Sequence, residues 1–384
     1  MRQRHICFVV YSRANYARIK TAILASQNDP QLKTSVIVGA SAVLHRFGNV
    51  AELMKKDGIA IAAELYNAVD GDLPISMAKT TGLGILDLAQ EFFRIKPDIV
   101  VTVADRFETL GTAIAASYMN IVLAHTQGGE ITGSIDESVR HACTKLAHIH
   151  FPATSQAREV LLQLGESEEN VFLVGCPAID LAKRVPDENL LSILNRYSGV
   201  GHKINPIEPY LMVAQHPVTT EHLSSREQIT ETLKAIKRID LQTIWLWPNI
   251  DSGSDSISKK LREFREANPQ SKIHFYRNFT AEDYVNLLRK TSCIIGNSSS
   301  GIREASFLGT PSVVIGSRQQ GREHGKNVIL VENNSDQIFE AITHQLVYGK
   351  YESENIFGSG NSGKLIVDIL KNINLSVNKR FNMR

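Results

Sequence analysis

The chain has 384 residues, 43% of them hydrophobic and 21% charged, and its 42 Lys and Arg nearly balance its 40 Asp and Glu, giving a formal net charge of +2. At about 150 residues per domain, this length predicts two or three domains with sizeable cores. The balanced charge argues against a protein that binds nucleic acid or a membrane surface, because such proteins carry clustered, excess basic residues.

Short apolar runs rich in β-branched residues alternate with segments of helical period through the first half of the chain. The predicted strands are 5–11, 34–39, 59–65, 99–104, 121–125, 148–153 and 171–174. The predicted helices are 14–27, 49–57, 75–95, 108–118, 136–147 and 155–164. Runs such as Ile99–Val103 lack polar alternation, which is typical of strands covered on both faces. These repeated strand–helix–strand units predict a parallel, doubly wound sheet.

The pattern lapses into a polar helix and a Gly- and Pro-containing stretch between residues 185 and 209, and then resumes. The second half predicts strands 210–215, 243–248, 272–276, 293–296, 312–315 and 328–331, and helices 225–239, 256–268, 281–290, 301–308, 335–348 and 365–372. We therefore predict an α/β protein with two doubly wound domains, 1–182 and 183–363, and a final segment 364–384. Two such domains imply a cleft between them, which is a common place for a ligand.

The start of the chain and its cysteines bear on location and metal binding. The apolar run from Ile6 to Tyr11 is too short for a signal-peptide core or a membrane span. The four cysteines lie far apart and form no CxxC, which disfavours structural zinc and a disulfide framework. His141, His148 and His150 lack the spacing that a metal site prefers, so packing roles are favoured over metal binding. We expect a soluble cytoplasmic protein without a metal.

A glycine-rich segment near the end of the chain imitates a phosphate-binding loop. Gly358-Ser-Gly-Asn-Ser-Gly-Lys364 matches both GxGxxG and the first seven positions of a P-loop. The eighth position should be Ser or Thr but is Leu365, and the preceding residues are too polar for the required strand. A flexible connector before the last helix is the favoured interpretation, and a nicotinamide dehydrogenase is disfavoured because no acceptable dinucleotide fingerprint is present.

Carboxylates crowd the loops that follow two predicted strands of the first domain. Asp105 follows the strand 99–104, and Glu130, Asp136 and Glu137 follow the strand 121–125. In a parallel sheet, ligands meet the loops at the carboxyl ends of strands. Asp105 could instead cap a helix, and the dipole of a helix first turn could favour Asp136 and Glu137. Since neither role explains an acid after Gly128-Gly129, we predict a functional role for Asp105 and Glu130 and leave both interpretations open for Asp136 and Glu137.

The second domain offers groups suited to phosphate. Three serines, Ser298, Ser299 and Ser300, lie between Gly296 and Gly301 ahead of a predicted helix, where backbone N–H groups and the helix dipole attract anions. The alternative is that one serine is only an N-cap. His216 follows another strand, and the cation-rich loop 317–324 contains Arg322. Phe279, just after Arg277, could stack on a base or belong to the core. An acid–base centre with a diphosphate clamp fits cleavage or rearrangement at a nucleotide-bound sugar.

At these residues the chain resembles the hydrolysing UDP-N-acetylglucosamine 2-epimerase family, most nearly its sialic-acid and legionaminic-acid branch. The motifs that carry the resemblance are Asp105-Arg-Phe-Glu108, Gly128-Gly-Glu130, Asp136-Glu-Ser-Val-Arg-His141, Gly175-Cys-Pro177 and 296–304. The resemblance implies the GT-B fold of two Rossmann-like domains, with the last helix crossing back to the first domain. It also implies a UDP-sugar substrate, no cofactor and a homodimer.

The resemblance further implies a chemistry and residue roles. A base removes the C2 proton, UDP leaves by anti elimination, and syn addition of water to the resulting glucal releases the 2-epimer of the sugar, which is of the N-acetylmannosamine type. Asp105, Glu130 and Asp136 become the acid–base candidates, with Glu137 a further one and His216 beside the leaving diphosphate. The UDP-binding candidates are Arg13, Arg18, His216, Arg277, Phe279, Ser298, Ser299, Ser300, Glu304 and Arg322.

The first loop departs from the family pattern, and rival functions remain. The usual glycine, acid and lysine of that loop are here Tyr11, Asn15 and Arg18. The nearest rival is a non-hydrolysing 2-epimerase, whose acid loop usually opens with Pro-Glu-Glu, whereas Ser134–Glu137 follows the hydrolysing pattern. A GT-B glycosyltransferase and a catalytically inactive nucleotide-sugar sensor are further alternatives, the sensor being disfavoured by the acid–base set.

Overall fold

The computed structural model describes residues 2–71 and 73–383, which divide into two compact α/β units. Unit 1 comprises residues up to 131, then 135–183, and then 357 onward; unit 2 comprises 132–134 and 184–356. The sequence predicted limits after residues 182 and 363, whereas the compact units change at 183 and 356. The division into 1–182, 183–363 and 364–384 stays a prediction.

Unit 1 contains a six-stranded parallel sheet with the order β3-β2-β1-β4-β5-β6. Its strands are β1 (Arg4–Val10), β2 (Leu32–Gly39), β3 (Ile61–Leu65), β4 (Ile99–Val103), β5 (Val122–Thr126) and β6 (Ile149–Phe151). Its helices are α1 (Arg13–Ala17), α2 (Lys20–Gln27), α3 (Val50–Lys56), α4 (Pro74–Ile95), α5 (Phe107–Tyr118), α6 (Ile135–Leu146), α7 (Ser155–Gln163) and α8 (Pro177–Arg184), with the last helix of the chain described below. The strand order reverses between β1 and β4, the place where such sheets bind ligands.

The buried strand β1 shows how the sequence builds this sheet. Its alternate residues Ile6, Phe8 and Val10 pack into one hydrophobic core, while Cys7 and Val9 pack into a second core on the opposite face. Since side chains of a strand alternate between faces, an uninterrupted apolar run fills both cores at once. The absence of polar alternation therefore correctly predicted strands covered on both sides.

Unit 2 contains a seven-stranded sheet with the order β13-β12-β11-β8-β9-β10-β7. Its strands are β7 (Gly199–Gly201), β8 (Leu211–Ala214), β9 (Thr243–Leu246), β10 (Ile273–Tyr276), β11 (Cys293–Gly296), β12 (Ser312–Ile315) and β13 (Val328–Val331). Its helices are α9 (Leu190–Leu194), α10 (Ser225–Ile239), α11 (Ser254–Ala267), α12 (Ala281–Lys290), α13 (Arg303–Leu308) and α14 (Ser335–Tyr348). All pairings are parallel except β7 with β10.

Two predicted elements were wrong, and two observed elements were not predicted. The helix predicted over 14–27 is two helices, because the chain leaves helical geometry at Ile19. The strand predicted over 171–174 is reduced to one bridge from Val171 to His150, since Pro152 follows β6 and has no N–H to extend a ladder. The helix α8, with Pro177 at its first position, was missed. So was β7, whose three exposed residues carry no hydrophobic pattern.

The glycine-rich segment 358–364 leads into the last helix, α15 (Ser362–Asn372), which belongs to unit 1. The buried carboxylate of Asp180 accepts hydrogen bonds from the backbone N–H groups of Ser362 and Gly363, both at 2.8 Å, and from the Thr21 hydroxyl. Gly358, with φ of +112°, packs closely against Gly175. Since a carboxylate of the chain itself occupies the helix N-terminus, the segment is an ordered packing element and does not present a phosphate cradle.

Within the part of the chain that the structure describes, no helix is both long and apolar enough to cross a membrane.

Candidate functional site

The loops after β4 and β5 place two acidic residues at neighbouring strand ends of unit 1. Ala104 and Gln127, the first residues after these strands, both have φ of +60°. The Ala104 N–H donates to Thr126 O at 3.1 Å and the Gln127 N–H donates to Phe151 O at 2.8 Å, so both turns are fixed to the adjoining strand. Asp105 and Glu130, which follow these turns, are buried. The structure thus brings together the two acids that the sequence singled out.

The guanidinium of Arg140 on α6 connects these loops. It donates to the carboxylate of Asp105, to the backbone carbonyl of Glu130 at 2.7 Å and to the Glu137 carboxylate at 2.8 Å. Arg140 is fully buried, which opposes its charge, but the neighbouring carboxylates outweigh this and raise its pKa. We call Asp105, Glu130, Glu137 and Arg140 the acid cluster.

The first turn of α6 carries the other two acidic candidates. Glu137 accepts from Arg140 and lies 2.9 Å from the Nε2 atom of His141, and Asp136 is half-buried beside it. The helix dipole stabilises acids in this turn, as the alternative interpretation proposed. Glu137 nevertheless belongs to the acid cluster, because it shares the guanidinium that holds Asp105 and Glu130.

The glycines before Glu130 are required by packing. A Cβ atom on Gly129, whose φ is +80°, would lie 2.1 Å from the carbonyl oxygen of Ala157 on α7. A Cβ atom on Gly128 would lie 3.0 Å from both the His125 ring and the Thr144 hydroxyl. The paired glycines therefore let the loop pass tightly between α6 and α7, and close packing explains them without a ligand.

The loop after β1 brings a further cation to the acid cluster. Ser12 caps α1 by accepting from the Asn15 N–H, and the Asn15 amide donates to Val103 O at 3.2 Å, which ties this loop to β4. An Arg18 nitrogen lies 3.9 Å from an Asp105 oxygen, and Arg13 is half-buried. Tyr11, in place of the usual glycine, turns its ring into the core and pairs its hydroxyl with Thr112 at 2.9 Å. The larger side chain therefore points into the core of unit 1.

His125 on β5 supports the turn that precedes Asp105. Its Nε2 atom lies 2.8 Å from Ala104 O and its Nδ1 atom lies 3.3 Å from the Thr144 hydroxyl. Burial lowers the pKa of His125 to about 4, so the ring is neutral near pH 7. Since a carbonyl only accepts, the single proton is on Nε2, and Nδ1 accepts from Thr144.

Unit 2 orients His216 at the end of β8. The His216 backbone N–H donates to the Asn297 side chain at 2.7 Å, and the Asn297 amide donates back to His216 O at 2.7 Å. The His216 Nδ1 atom accepts from the Asn249 N–H at 3.3 Å. An accepting Nδ1 assigns the ring proton to Nε2, so this histidine can donate a hydrogen bond from its other edge.

The three serines after β11 have different local roles. Ser298 caps a 3-10 turn, Ser299–Gly301, and its hydroxyl lies 2.9 Å from that of Ser300, which also pairs with the Tyr284 hydroxyl. Helix α13 begins only at Arg303, so the loop reaches the helix through this turn. Glu304 lies in the first turn of α13 and is half-buried. The structure therefore supports the N-cap interpretation for Ser298, while the set of hydroxyls remains grouped at the strand end.

The remaining candidates of unit 2 differ in exposure. Arg277 is exposed. Arg322 is buried and donates to Gln319 at 2.6 Å, and Gln319 in turn donates to Asn297 O at 2.9 Å, which links this loop to the residue that holds His216. Phe279 is buried in the core against Tyr197 and Tyr276, with ring centroids 4.6 and 4.9 Å away. A base could stack on Phe279 only if one of these tyrosines moved, so the structure favours the core interpretation of Phe279.

Sequence reasoning did not assign roles to Arg140, Asn249 and Asn297. The signal for Arg140 was present, because a cation three residues after Glu137 on the same helix face can pair with it. The two asparagines gave no signal, since their contacts with His216 join distant parts of the chain. Among the described residues, no group of three or more His, Cys, Asp or Glu is placed to hold a metal ion.

Comparisons with known proteins identify relatives of this chain. A family model described as UDP-N-acetylglucosamine 2-epimerase matches residues 24–371. The chain is 31% identical to the UDP-N,N'-diacetylbacillosamine 2-epimerase (hydrolyzing) of Legionella pneumophila, with 97% of both chains covered. It is 28% identical to the UDP-N-acetylglucosamine 2-epimerase of Neisseria meningitidis serogroup B, with 98% of both chains covered.

A solved structure confirms the predicted fold. The UDP-GlcNAc 2-epimerase of Methanocaldococcus jannaschii, crystallised with UDP-GlcNAc and UDP, is similar with a TM-score of 0.79 and 19% identity, covering 95% of this chain and 99% of the other. Together with the two parallel-sheet α/β units, this similarity confirms the GT-B fold class.

The acid cluster predicts a large stability difference between two arginines that each pair with an aspartate. Arg140→Met should lower the free energy of unfolding by about 3–5 kcal/mol, because it leaves buried carboxylates without the guanidinium. The matched control, Arg2→Met, removes the exposed Arg2–Asp98 pair and should change it by less than about 0.5 kcal/mol. Urea denaturation followed by circular dichroism measures both, and equal effects would show that Arg140 does not hold the loops.

Proposed function

The chain belongs to the UDP-N-acetylglucosamine 2-epimerase family, and we propose that it is a hydrolysing member that converts a UDP-sugar to UDP and the free 2-epimer. The substrate is UDP-N-acetylglucosamine or its 2,4-diacetamido-2,4,6-trideoxy analogue. The product is N-acetylmannosamine or the matching 2,4-diacetamido-2,4,6-trideoxy sugar, which are building blocks of the sialic-acid or legionaminic-acid type. A cytoplasmic location stays a prediction of the sequence.

The observation that carries this proposal is the acid cluster, in which one buried arginine gathers buried acids at neighbouring strand ends. The C2 proton of an amino sugar is weakly acidic, so its removal needs a fixed carboxylate base and a second group for the later protonation. Asp105, Glu130 and Asp136 are the proposed acid–base residues, with Glu137 a further candidate. Arg140 fixes Asp105 and the Glu130 backbone before substrate binds, which favours catalysis because no reorganisation is then needed.

The proposed reaction has two balanced steps. In the first, an enzymic carboxylate takes the C2 proton, the C–H electron pair forms the C1=C2 double bond, and the C1–O bond to UDP breaks. In the second, water adds its hydroxyl to C1 and gives its other proton to a carboxylate, while a protonated acid gives a proton to C2 on the opposite face from the original one. The sum is UDP-sugar plus water giving UDP and the 2-epimer, without a redox change or a cofactor.

Unit 2 is proposed to bind the nucleotide. We propose that the Nε2–H of His216 donates to the departing diphosphate, since Nδ1 accepts from Asn249. Developing negative charge on the leaving group is stabilised by such fixed donors. The hydroxyls of Ser298, Ser299 and Ser300 are proposed to hold the diphosphate and Glu304 the ribose. The further nucleotide contacts proposed from the sequence are Arg13, Arg18, Arg277 and Arg322; Phe279 is not among them, because Tyr197 and Tyr276 pack against it in the core.

Two features support the hydrolysing reaction over its rivals. The acid loop reads Ser134-Ile-Asp-Glu137, which resembles the hydrolysing pattern and lacks Pro-Glu-Glu. A relative that is 31% identical is named as hydrolysing. A non-hydrolysing 2-epimerase would return UDP to the sugar, and a glycosyltransferase would require an acceptor sugar for UDP release.

Isotope incorporation tests the reaction. The protein should release UDP from UDP-N-acetylglucosamine, or from the diacetamido analogue, in deuterated water without an acceptor, and the free product should carry deuterium at C2. Mass spectrometry and NMR of the sugar measure this. A labelled sugar that remains attached to UDP would identify the non-hydrolysing reaction, and unlabelled free product would exclude C2 deprotonation.

Substitution of the acids tests their roles. Asp105→Asn and Glu130→Gln should each lower kcat by about a hundredfold or more, because a positioned acid or base contributes roughly 10²–10⁴-fold. UDP affinity, measured by calorimetry, should change little, since most of the proposed UDP contacts are in unit 2. The control Glu169→Gln alters an exposed acid of unit 1 and should match the wild type. Wild-type rates in either acid variant would remove that residue from the catalytic set.

We also propose that the chain forms a homodimer through the exposed face of α4. Ile75, Leu83, Leu86 and Phe93 on this helix are exposed, with Leu86 at 68% and Phe93 at 69%. In an antiparallel pair of α4 helices related by a two-fold axis near residue 84, Leu86 would lie over Gly82 of the second copy and Phe93 near its Ile75. A Cβ atom on Gly82 would meet nothing within 4 Å, so there is space for Leu86. The exposed apolar face of α4 is thus self-complementary.

Light scattering tests this dimer. The wild type should elute with twice the mass of the chain, and Leu86→Glu should shift it to the monomer, because the substitution places a charge in the apolar interface. The control Ile207→Glu changes a residue of unit 2 that is 89% exposed and should leave the mass unchanged. A dimer that persists in Leu86→Glu would place the interface elsewhere.

A further inference from the structure

The segment after α15 carries a largely buried lysine, Lys379. Each of the three N–H donors of its ammonium has an acceptor. It lies 2.6 Å from a Glu166 carboxylate oxygen, 2.7 Å from Thr144 O and 2.5 Å from Ala147 O. Burial lowers the pKa of Lys379, and the contact with Glu166 partly offsets this. An ammonium has three donors, so these three acceptors satisfy it completely. A partly buried cation held in this way is a specific connection between parts of the chain.

Two of these acceptors are carbonyls at the C-terminal end of α6, the helix that carries Arg140. Carbonyls at a helix end lack partners within the helix, and a cation there is favoured by the helix dipole. Thr144 lies one turn after Arg140 on the same face of α6. Lys379 therefore fixes the far end of the helix whose middle holds Asp105, the Glu130 backbone and Glu137.

Thr144 also connects this end of α6 to the Asp105 loop. Its hydroxyl donates to His125, and His125 donates to Ala104 O. Ala104 has a φ of +60° and immediately precedes Asp105, so its backbone geometry directs where that carboxylate lies. A shift of Thr144 would loosen both the hydrogen bond to His125 and the turn that His125 supports.

We propose that Lys379 is a positioning residue for the acid–base loops: by holding the last carbonyls of α6, it keeps Arg140 and Thr144 in register with the loops that carry Asp105 and Glu130. This inference rests on the proposed function in so far as those loops catalyse the reaction. Lys379 acts through α6 and is not itself placed at the reacting atoms.

The neighbourhood of Lys379 allows a clean substitution. Glu166 also pairs with Lys145 at 2.7 Å and with His150 at 2.9 Å, and these contacts outweigh burial and lower its pKa to about 2. Removing Lys379 therefore leaves this buried carboxylate with two partners. The segment keeps other anchors, since His148 donates to Val377 O at 3.1 Å and the Asn382 N–H donates to Gly165 O at 3.0 Å.

The test compares Lys379 with two other cations, Arg380 and Lys145. Lys379→Gln should lower kcat by about tenfold to a hundredfold, because a displacement of about 1 Å in a reacting group can cost ~100-fold. KM and UDP affinity should stay within about twofold, and Lys379→Arg should recover most of the loss, because it restores the charge and several donors. Arg380→Gln removes the same charge from an exposed neighbour and should match the wild type. Lys145→Gln should also match it, because Lys145 contacts Glu166 and Leu164 O but not the last carbonyls of α6.

Hydrogen–deuterium exchange separates this inference from the proposed function. Lys379→Gln should accelerate exchange in peptides that cover 135–147 and 104–108, whereas Arg380→Gln should not. If the wild type releases no UDP from either sugar, the proposed function fails and the exchange result alone decides whether Lys379 orders the Asp105 loop. Unchanged exchange, an equal loss of kcat in Lys145→Gln, or a loss that only follows the unfolded fraction at the assay temperature would overturn the role of Lys379.

Discussion

The arrangement of unit 1 depends on one buried guanidinium, that of Arg140. Removing a charge from water is costly, and the cost is offset only when the charge is paired and its donors are used. Arg140 meets this condition by contacting the carboxylates of Asp105 and Glu137 and the carbonyl of Glu130. These groups come from the loop after β4, the loop after β5 and α6 itself. A single side chain thus requires three segments to be in place together, so the same contacts that stabilise the cation also define the geometry of the acids.

The fold could be predicted from the sequence where a single physical rule determines the pattern of residues. Strands such as β1 and β4 are apolar on both faces, which occurs when helices cover both sides of a sheet, and the parallel order followed from that. Elements that depend on contacts with a distant part of the chain could not be predicted. β7 exists because β10 offers an open edge, and the strand predicted over 171–174 ends early because Pro152 lies in the neighbouring segment. Neither cause is local to the residues concerned.

The candidate site was predictable because the geometry of a parallel sheet places its acids together. Carboxyl ends of parallel strands meet at one edge, so Asp105 and Glu130 could be grouped from their positions after two strands. The contacts that position the site residues could not be predicted, because they join distant parts of the chain. Lys379 and Thr144 are 235 residues apart, and Asn297 and His216 are 81 apart. Phe279 shows that a local pattern can also suggest a role that tertiary packing disfavours. An aromatic residue near a cation suggested base stacking, yet Tyr197 and Tyr276 pack against it. Local patterns identify groups that can react, whereas the contacts that position them depend on tertiary structure.

Two glycine-rich segments of this chain show what separates an anion site from its imitation. Both 296–301 and 358–363 contain glycines and serines and lead into a helix. At the start of α15, Asp180 accepts the N–H groups of Ser362 and Gly363, so the chain supplies its own anion and a phosphate would meet a buried carboxylate. At 296–301, Ser298 satisfies the Ser300 N–H with a neutral hydroxyl. A neutral cap adds no negative charge, which is compatible with the proposal that these hydroxyls hold a diphosphate. The charge of the capping group, which the glycine pattern does not reveal, therefore distinguishes the two segments.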